Sequence, residues 1–103
     1  MRKFIILDST PVGLITNPKA DSLSIECQMW FDRLVFEGNK FILTEIIDYE
    51  IRRELLRANK RSGLEKLDRL KSSISYLPIT TEVMLKAAEL WAETRNKGKP
   101  TAE

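Results

Sequence analysis

A chain of 103 residues and 11.9 kDa, with 43% hydrophobic and 31% charged residues, has the make-up of one globular domain with a small core. Its 17 Lys+Arg against 15 Asp+Glu leave a formal charge of +2, too little to carry the protein onto a polyanion, so any nucleic-acid contact must come from a local basic patch. One cysteine, Cys27, and no histidine exclude an internal disulfide, Cys/His zinc sites and His-dependent triads, leaving hard oxygen ligands as the available metal chemistry.

The first predicted element is the apolar run KFIILD, a buried strand over about 3–8 that ends on the bare carboxylate of Asp8, before Ser9, Thr10 and Pro11. Its apolar stretch is too short for a signal-peptide core or a membrane span, which makes a cytoplasmic protein with no membrane partner the expectation. Asp21 or Ser22 caps a helix whose apolar positions Leu23, Ile25, Met29, Trp30, Leu34 and Val35 recur at helical spacing until Gly38-Asn39 ends it. A second strand follows at 40–44, then a helix from about Thr44 to Asn59. A further helix runs from Gly63 to about Ser73, capped by Ser62 with Glu65 three residues on. A third strand spans about 74–79, and the last helix, Thr81 to about Asn96, closes with Lys97-Gly98 and Lys99-Pro100.

This alternation predicts an α/β fold with a parallel sheet, in which ligands gather at the carboxyl ends of the strands. Asp8 sits at one such end; Thr44-Glu45 and Pro78-Ile79-Thr80 sit at the others. On the helix after the second strand, Ile47, Ile51, Leu55 and Ala58 form one stripe and Ile46, Tyr49 and Leu56 another, a pattern that predicts a largely buried helix. Glu50 and Glu54 fall in the gap, at a rim, with Arg53 and Arg57 close by, while Asp48 points away. An acid at a strand end and an acid on a following helix make half of a site for Mg²⁺ or Mn²⁺, which prefer carboxylate oxygens. The competing reading is that Asp8 caps the turn after its strand and Glu50 pairs with Arg53, Arg57 or another base.

The basic run from Arg52 to Lys71 either lines a groove for RNA phosphates or forms a solvated helix surface, since Glu54, Glu65 and Asp68 interleave with it. Arg53 and Arg57 are the candidates for phosphate contact because they share the Glu50 side of the helix. Trp30, Phe31 and Trp91 read as packing residues, and Cys27 as a small buried hydrophobe.

The combination FIILDSTPVGLITNPK, then TEIIDYEIRREL, then YLPITTEVMLKAAELWAETRNKGKPTAE resembles the PIN-domain proteins of bacteria, metal-dependent ribonucleases that include many toxins of toxin–antitoxin pairs. The resemblance covers essentially the whole chain. It implies a three-layer fold with helices on both faces of the parallel sheet, and cleavage of RNA phosphodiester bonds with Mg or Mn. It also implies that Asp8 and Glu50 are catalytic metal ligands, that Ser9 or Thr10 orients a ligand or water, and that an antitoxin is a possible partner. Members of the family normally continue past a segment like GKPTAE into a helix that opens with a third acid, then a fourth strand. On that basis residues 1–103 are a single PIN-like domain, C-terminally truncated, lacking the third acid and open to impaired catalysis. The alternative is a non-catalytic RNA- or protein-binding module or a truncated remnant.

In the family's sheet the first strand lies between the second and the fourth. Without a fourth strand it becomes an edge, with unpaired backbone groups and apolar side chains on both faces. The expectation is then a longer polypeptide whose missing C-terminal segment covers that edge, or a homo-oligomer or other partner that does so.

Overall fold

The structure, a computed structural model, describes residues 2–98; the helix stop expected at Lys99-Pro100 lies outside them. The elements are β1 (Phe4–Ile6), α1 (Ser9–Ile15), α2 (Ser22–Phe36), β2 (Lys40–Thr44), α3 (Glu45–Arg57), α4 (Arg61–Ser73), β3 (Ser75–Leu77) and α5 (Thr81–Asn96). The strands are parallel in the order β1-β2-β3, with Phe4 opposite Lys40 and Ile42 opposite Ser75. The fold is therefore α/β with a short parallel sheet, and β1 is an edge.

The outer strands are shorter than the sequence suggests, and the residues after them say why. Leu7 still donates to the Ile42 carbonyl at 3.0 Å, but Asp8 then caps α1. At the other edge Pro78 has no N–H to extend β3. Helix α1 was not expected. Asp8 accepts from the Ser9 N–H at 2.8 Å, Pro11 stands in the first turn where a missing donor does no harm, and Val12 and Ile15 turn inward.

Asp21 is the cap of α2, accepting from the Ser24 N–H at 2.8 Å. The helix ends before Gly38, whose φ of 90° favours glycine. Ser62, by contrast, is not a cap. The chain reverses through Asn59 at φ 57° while Lys60 donates to the Leu55 carbonyl at 2.8 Å, so α4 begins at Arg61 and Ser62 is already helical. This tight reversal presses Gly63 into α3: a Cβ there would lie 2.6 Å from Leu55 Cδ2 and 3.1 Å from the Thr16 carbonyl.

One face of the sheet carries the core. Phe41 and Leu43 of β2 are buried with Leu7, Val12, Ile15, Phe31, Leu67 and Leu70, and Ile5 and Tyr76 pack against them. Phe41 is stacked at 4.5 Å between centroids by Phe31 and met edge-on by Trp30 at 5.5 Å. Helices α1 to α4 all contribute to this cluster, so the connections from β1 to β2 and from β2 to β3 pack on the same face of the sheet.

The expected third layer is missing among the described residues. Side chains alternate across a strand, so the second face presents Phe4, Ile6, Ile42 and Leu77. Phe4 is 77% exposed, Ile6 64% and Leu77 45%. Helix α5 does not cover them: none of its residues is buried, and Trp91, expected to pack, is 54% exposed with Arg95 over its ring. With this helix projecting, the radius of gyration is 15.9 Å, against about 13 Å for a compact chain of this length. The second stripe of α3 is also a correction. Ile47, Ile51 and Leu55 pack on the core, whereas Ile46, Tyr49 and Leu56 face outward, with no element among the described residues over that flank.

Candidate metal and nucleic-acid site

The carboxyl edge of the sheet gathers Asp8 after β1, Glu45 after β2 and Ile79 after β3. Asp8 is exposed; its Oδ1 takes the Ser9 N–H and its second oxygen accepts nothing among the described residues. Capping and availability to a cation are thus not exclusive. Ser9 and Thr10 open α1, the first half-buried and the second exposed, with both hydroxyls beside the Asp8 carboxylate in sequence.

Glu50 lies in the second turn of α3, half-buried, with no hydrogen bond or ion pair among the described residues. Its turn faces α1, since a Cβ on Gly13 would meet Ile51 Cδ1 at 3.8 Å. The fold therefore brings together the helix that Asp8 caps and the helix that carries Glu50. Among the described residues no third acid, His or Cys joins them as a metal-holding group.

The pairing of Glu50 with Arg53 or Arg57 does not occur. Arg57 Nε bonds Glu54 at 2.9 Å and Arg53 lies over the Tyr49 ring at 5.3 Å, both on the exposed surface. Such exposed contacts are weak and exchange readily for a phosphate. Arg52 is committed elsewhere, to the buried Asp48 at 3.0 Å and to Asp68 at 2.8 Å. The hydrogen bond to Asp48 is the main reason its guanidinium holds its proton more firmly than usual. This pair also explains why Asp48 points away from Glu50, as expected. Lys66 Nζ is likewise used inside the fold, donating to the Asn17 carbonyl at 2.9 Å.

Two features escaped sequence reasoning. Glu45 Oε1 accepts the Ile79 N–H at 2.7 Å, clasping the ends of β2 and β3. Its signal was an acid opening a helix opposite a donor that Pro78 leaves without a strand partner. Between α3 and β3 runs a groove of about 500 Å³ lined by Ile46, Tyr49, Arg53, Leu56, Tyr76 and Ile79. Burial, with the Glu45 and Asp48 carboxylates, pushes the Tyr76 hydroxyl above its ordinary pKa. Cys27 is half-buried with Sγ 3.8 Å from the Pro11 carbonyl, and burial pushes its thiol up.

These features define a small α/β chain with a three-stranded parallel sheet and free carboxylates beside the carboxyl edge. Comparison with protein-family models, curated proteins and solved structures finds no match. No helix among the described residues is long and apolar enough to cross a membrane.

Proposed function

We propose that this chain is a PIN-type ribonuclease domain that hydrolyses RNA phosphodiester bonds with Mg²⁺ or Mn²⁺. The observation that carries the reading is the pair of unbridged carboxylates, Asp8 at the end of β1 and Glu50 on α3, presented by two helices that pack together. Their oxygens fit a cation of this class, which typically binds through one or two carboxylates and completes its shell with waters and substrate phosphates. When bound, such an ion polarises a scissile phosphate and lowers the pKa of a water.

The chain's own residues divide the remaining work. Asp8 and Glu50 hold the cation, and the Ser9 N–H fixes the Asp8 rotamer by occupying one of its oxygens. The hydroxyl of Ser9 or Thr10 orients a ligand or water beside Asp8. Arg53 and Arg57 contact substrate phosphates after leaving the Tyr49 ring and Glu54. An antitoxin-type protein is a candidate partner, and the cytoplasm the compartment in which an RNA substrate is met.

The test is cleavage of labelled RNA with Mn²⁺ or Mg²⁺ by the wild type, Asp8→Asn, Glu50→Gln and Arg53→Ala/Arg57→Ala. Loss of at least ~10²-fold in rate is expected for each acid variant, the scale of a lost catalytic group, and weaker substrate binding for the arginine pair. Equal cleavage by the wild type and Asp8→Asn would sink the proposal. A second reading, a protein-binding module without catalysis, is favoured by the bare apolar face of the sheet; it predicts no metal-dependent cleavage by any of the four proteins.

A further inference from the structure

Helix α5 is built to be covered. Laid out at about 100° per residue, Val83, Met84, Ala87, Ala88, Leu90 and Trp91 spread over more than half of its circumference. Glu82, Lys86, Glu89 and Glu93 share one narrow strip, while Thr94 and Arg95 fall within the apolar arc, Arg95 lying over the Trp91 ring. A helix with this distribution belongs in an interior, yet no residue of α5 is buried. The same chain holds an open seat: the second face of the sheet, where Phe4, Ile6, Ile42 and Leu77 sit among Lys40, Thr44 and Ser75 with no layer over them among the described residues. We propose that α5 of a second copy occupies this seat, so that two copies exchange their last helices around a two-fold axis.

The occupant follows from the linker. Only Pro78, Ile79 and Thr80 connect β3 to α5, and each is constrained. Proline fixes its own φ, the Ile79 N–H is clasped by Glu45 at 2.7 Å, and the Thr80 hydroxyl accepts the Val83 N–H at 3.2 Å to start the helix. With this short, constrained linker α5 buries no residue against its own sheet. A second copy supplies the same helix from outside without bending it, the usual logic of an exchanged element.

Size is sufficient. Sixteen helical residues cover a footprint of ~24 Å by ~10 Å. Removed from both surfaces and applied twice by symmetry, that amounts to on the order of 1,000 Å², where specific interfaces begin. The contact is isologous, so it closes at two copies rather than growing into a fibre.

Sedimentation velocity of the full chain over a range of concentrations tests the assembly, with a dimer of twice 11.9 kDa expected. Trp91→Glu and Ile6→Asp alter side chains that are exposed in the single chain, so each should give a monomer with an unchanged far-UV circular dichroism spectrum. Exchange itself is read by cross-linking in a Cys27→Ser background. Chains with Ile6→Cys and chains with Ala88→Cys should form disulfide-linked pairs when mixed and not when oxidised separately. Three results would overturn the proposal: a monomer at every concentration, a dimer that survives both Trp91→Glu and Ile6→Asp, or a chain carrying both cysteines that closes its disulfide within one molecule.

Discussion

Gly63 is the residue on which the packing of α4 turns. A methyl at this position would stand 3.1 Å from the Thr16 carbonyl, a backbone atom that cannot step aside, as well as 2.6 Å from the end of Leu55. Alanine gains about 1 kcal/mol of helix propensity over glycine, but overpacking costs about 1–3 kcal/mol. Gly63→Ala is therefore expected to destabilise by up to ~2 kcal/mol, measured by urea denaturation; shortening Leu55 in the same chain should return part of the loss, because part of the clash is with its side chain. A glycine in a helical window marks such a close approach only if the neighbour is known, and the Ser62/Glu65 spacing instead suggested a helix start there, later than the Arg61 at which α4 begins. Asp8 was more legible. An acid after an apolar run marks the end of a strand whatever follows it, and its capping of the next turn was legible as well; only the helix α1 built on that cap needed the fold.

Among the elements, α2 shows how a local signal survives into the structure. The Ser24 N–H, donated to Asp21, holds that carboxyl below the ordinary carboxylate range, with the Ser24 hydroxyl and the Asn17 amide adding to the effect. A folded-state pKa that is depressed contributes stability above the unfolded value of ~3.9 and loses it as pH falls through the folded value. Asp21→Ala should thus lower the melting temperature at neutral pH, with the gap from wild type narrowing as pH falls below the unfolded value and through the lowered folded one, where the cap loses its charge. Circular dichroism melts across this range check it; a gap that stays constant into acid would point to lost packing instead. Helix α1 lacked such clarity because seven residues containing Pro11 and Gly13 show little periodicity. In α3 the spacing correctly located two apolar stripes, but periodicity reports where a helix is apolar and not whether another element arrives to cover it.

For the whole molecule, patterns within the chain revealed the alternation of helices with parallel strands, whereas the edge position of β1 was what the PIN resemblance implied for a sheet without a fourth strand. It did not reveal that the described residues form two layers. Alternating side chains make both faces of Phe4–Ile6 apolar, and the pattern contains nothing that distinguishes a covered face from a bare one. The unequal packing has a measurable consequence in hydrogen exchange. β2 is paired on both sides and carries Phe41 and Leu43 into the core, while α5 has no buried residue. In the Trp91→Glu chain the amides of β2 should exchange at the slowest, global rate and those of α5 far faster through local fraying. Similar protection of both elements in that variant would mean that α5 is held down within its own chain.

The order of the sheet matches the order of synthesis. Because β1, β2 and β3 lie side by side in the sequence in which they are made, each strand after the first finds the neighbour that precedes it already outside the ribosome, at a translation pace of ~5–20 residues per second. β2 and its two preceding helices form a closed βααβ unit before α4 is translated, and β3 then adds to an existing template. No strand has to wait for a later one to insert between it and its partner, so the growing chain carries few mispaired alternatives that must be undone.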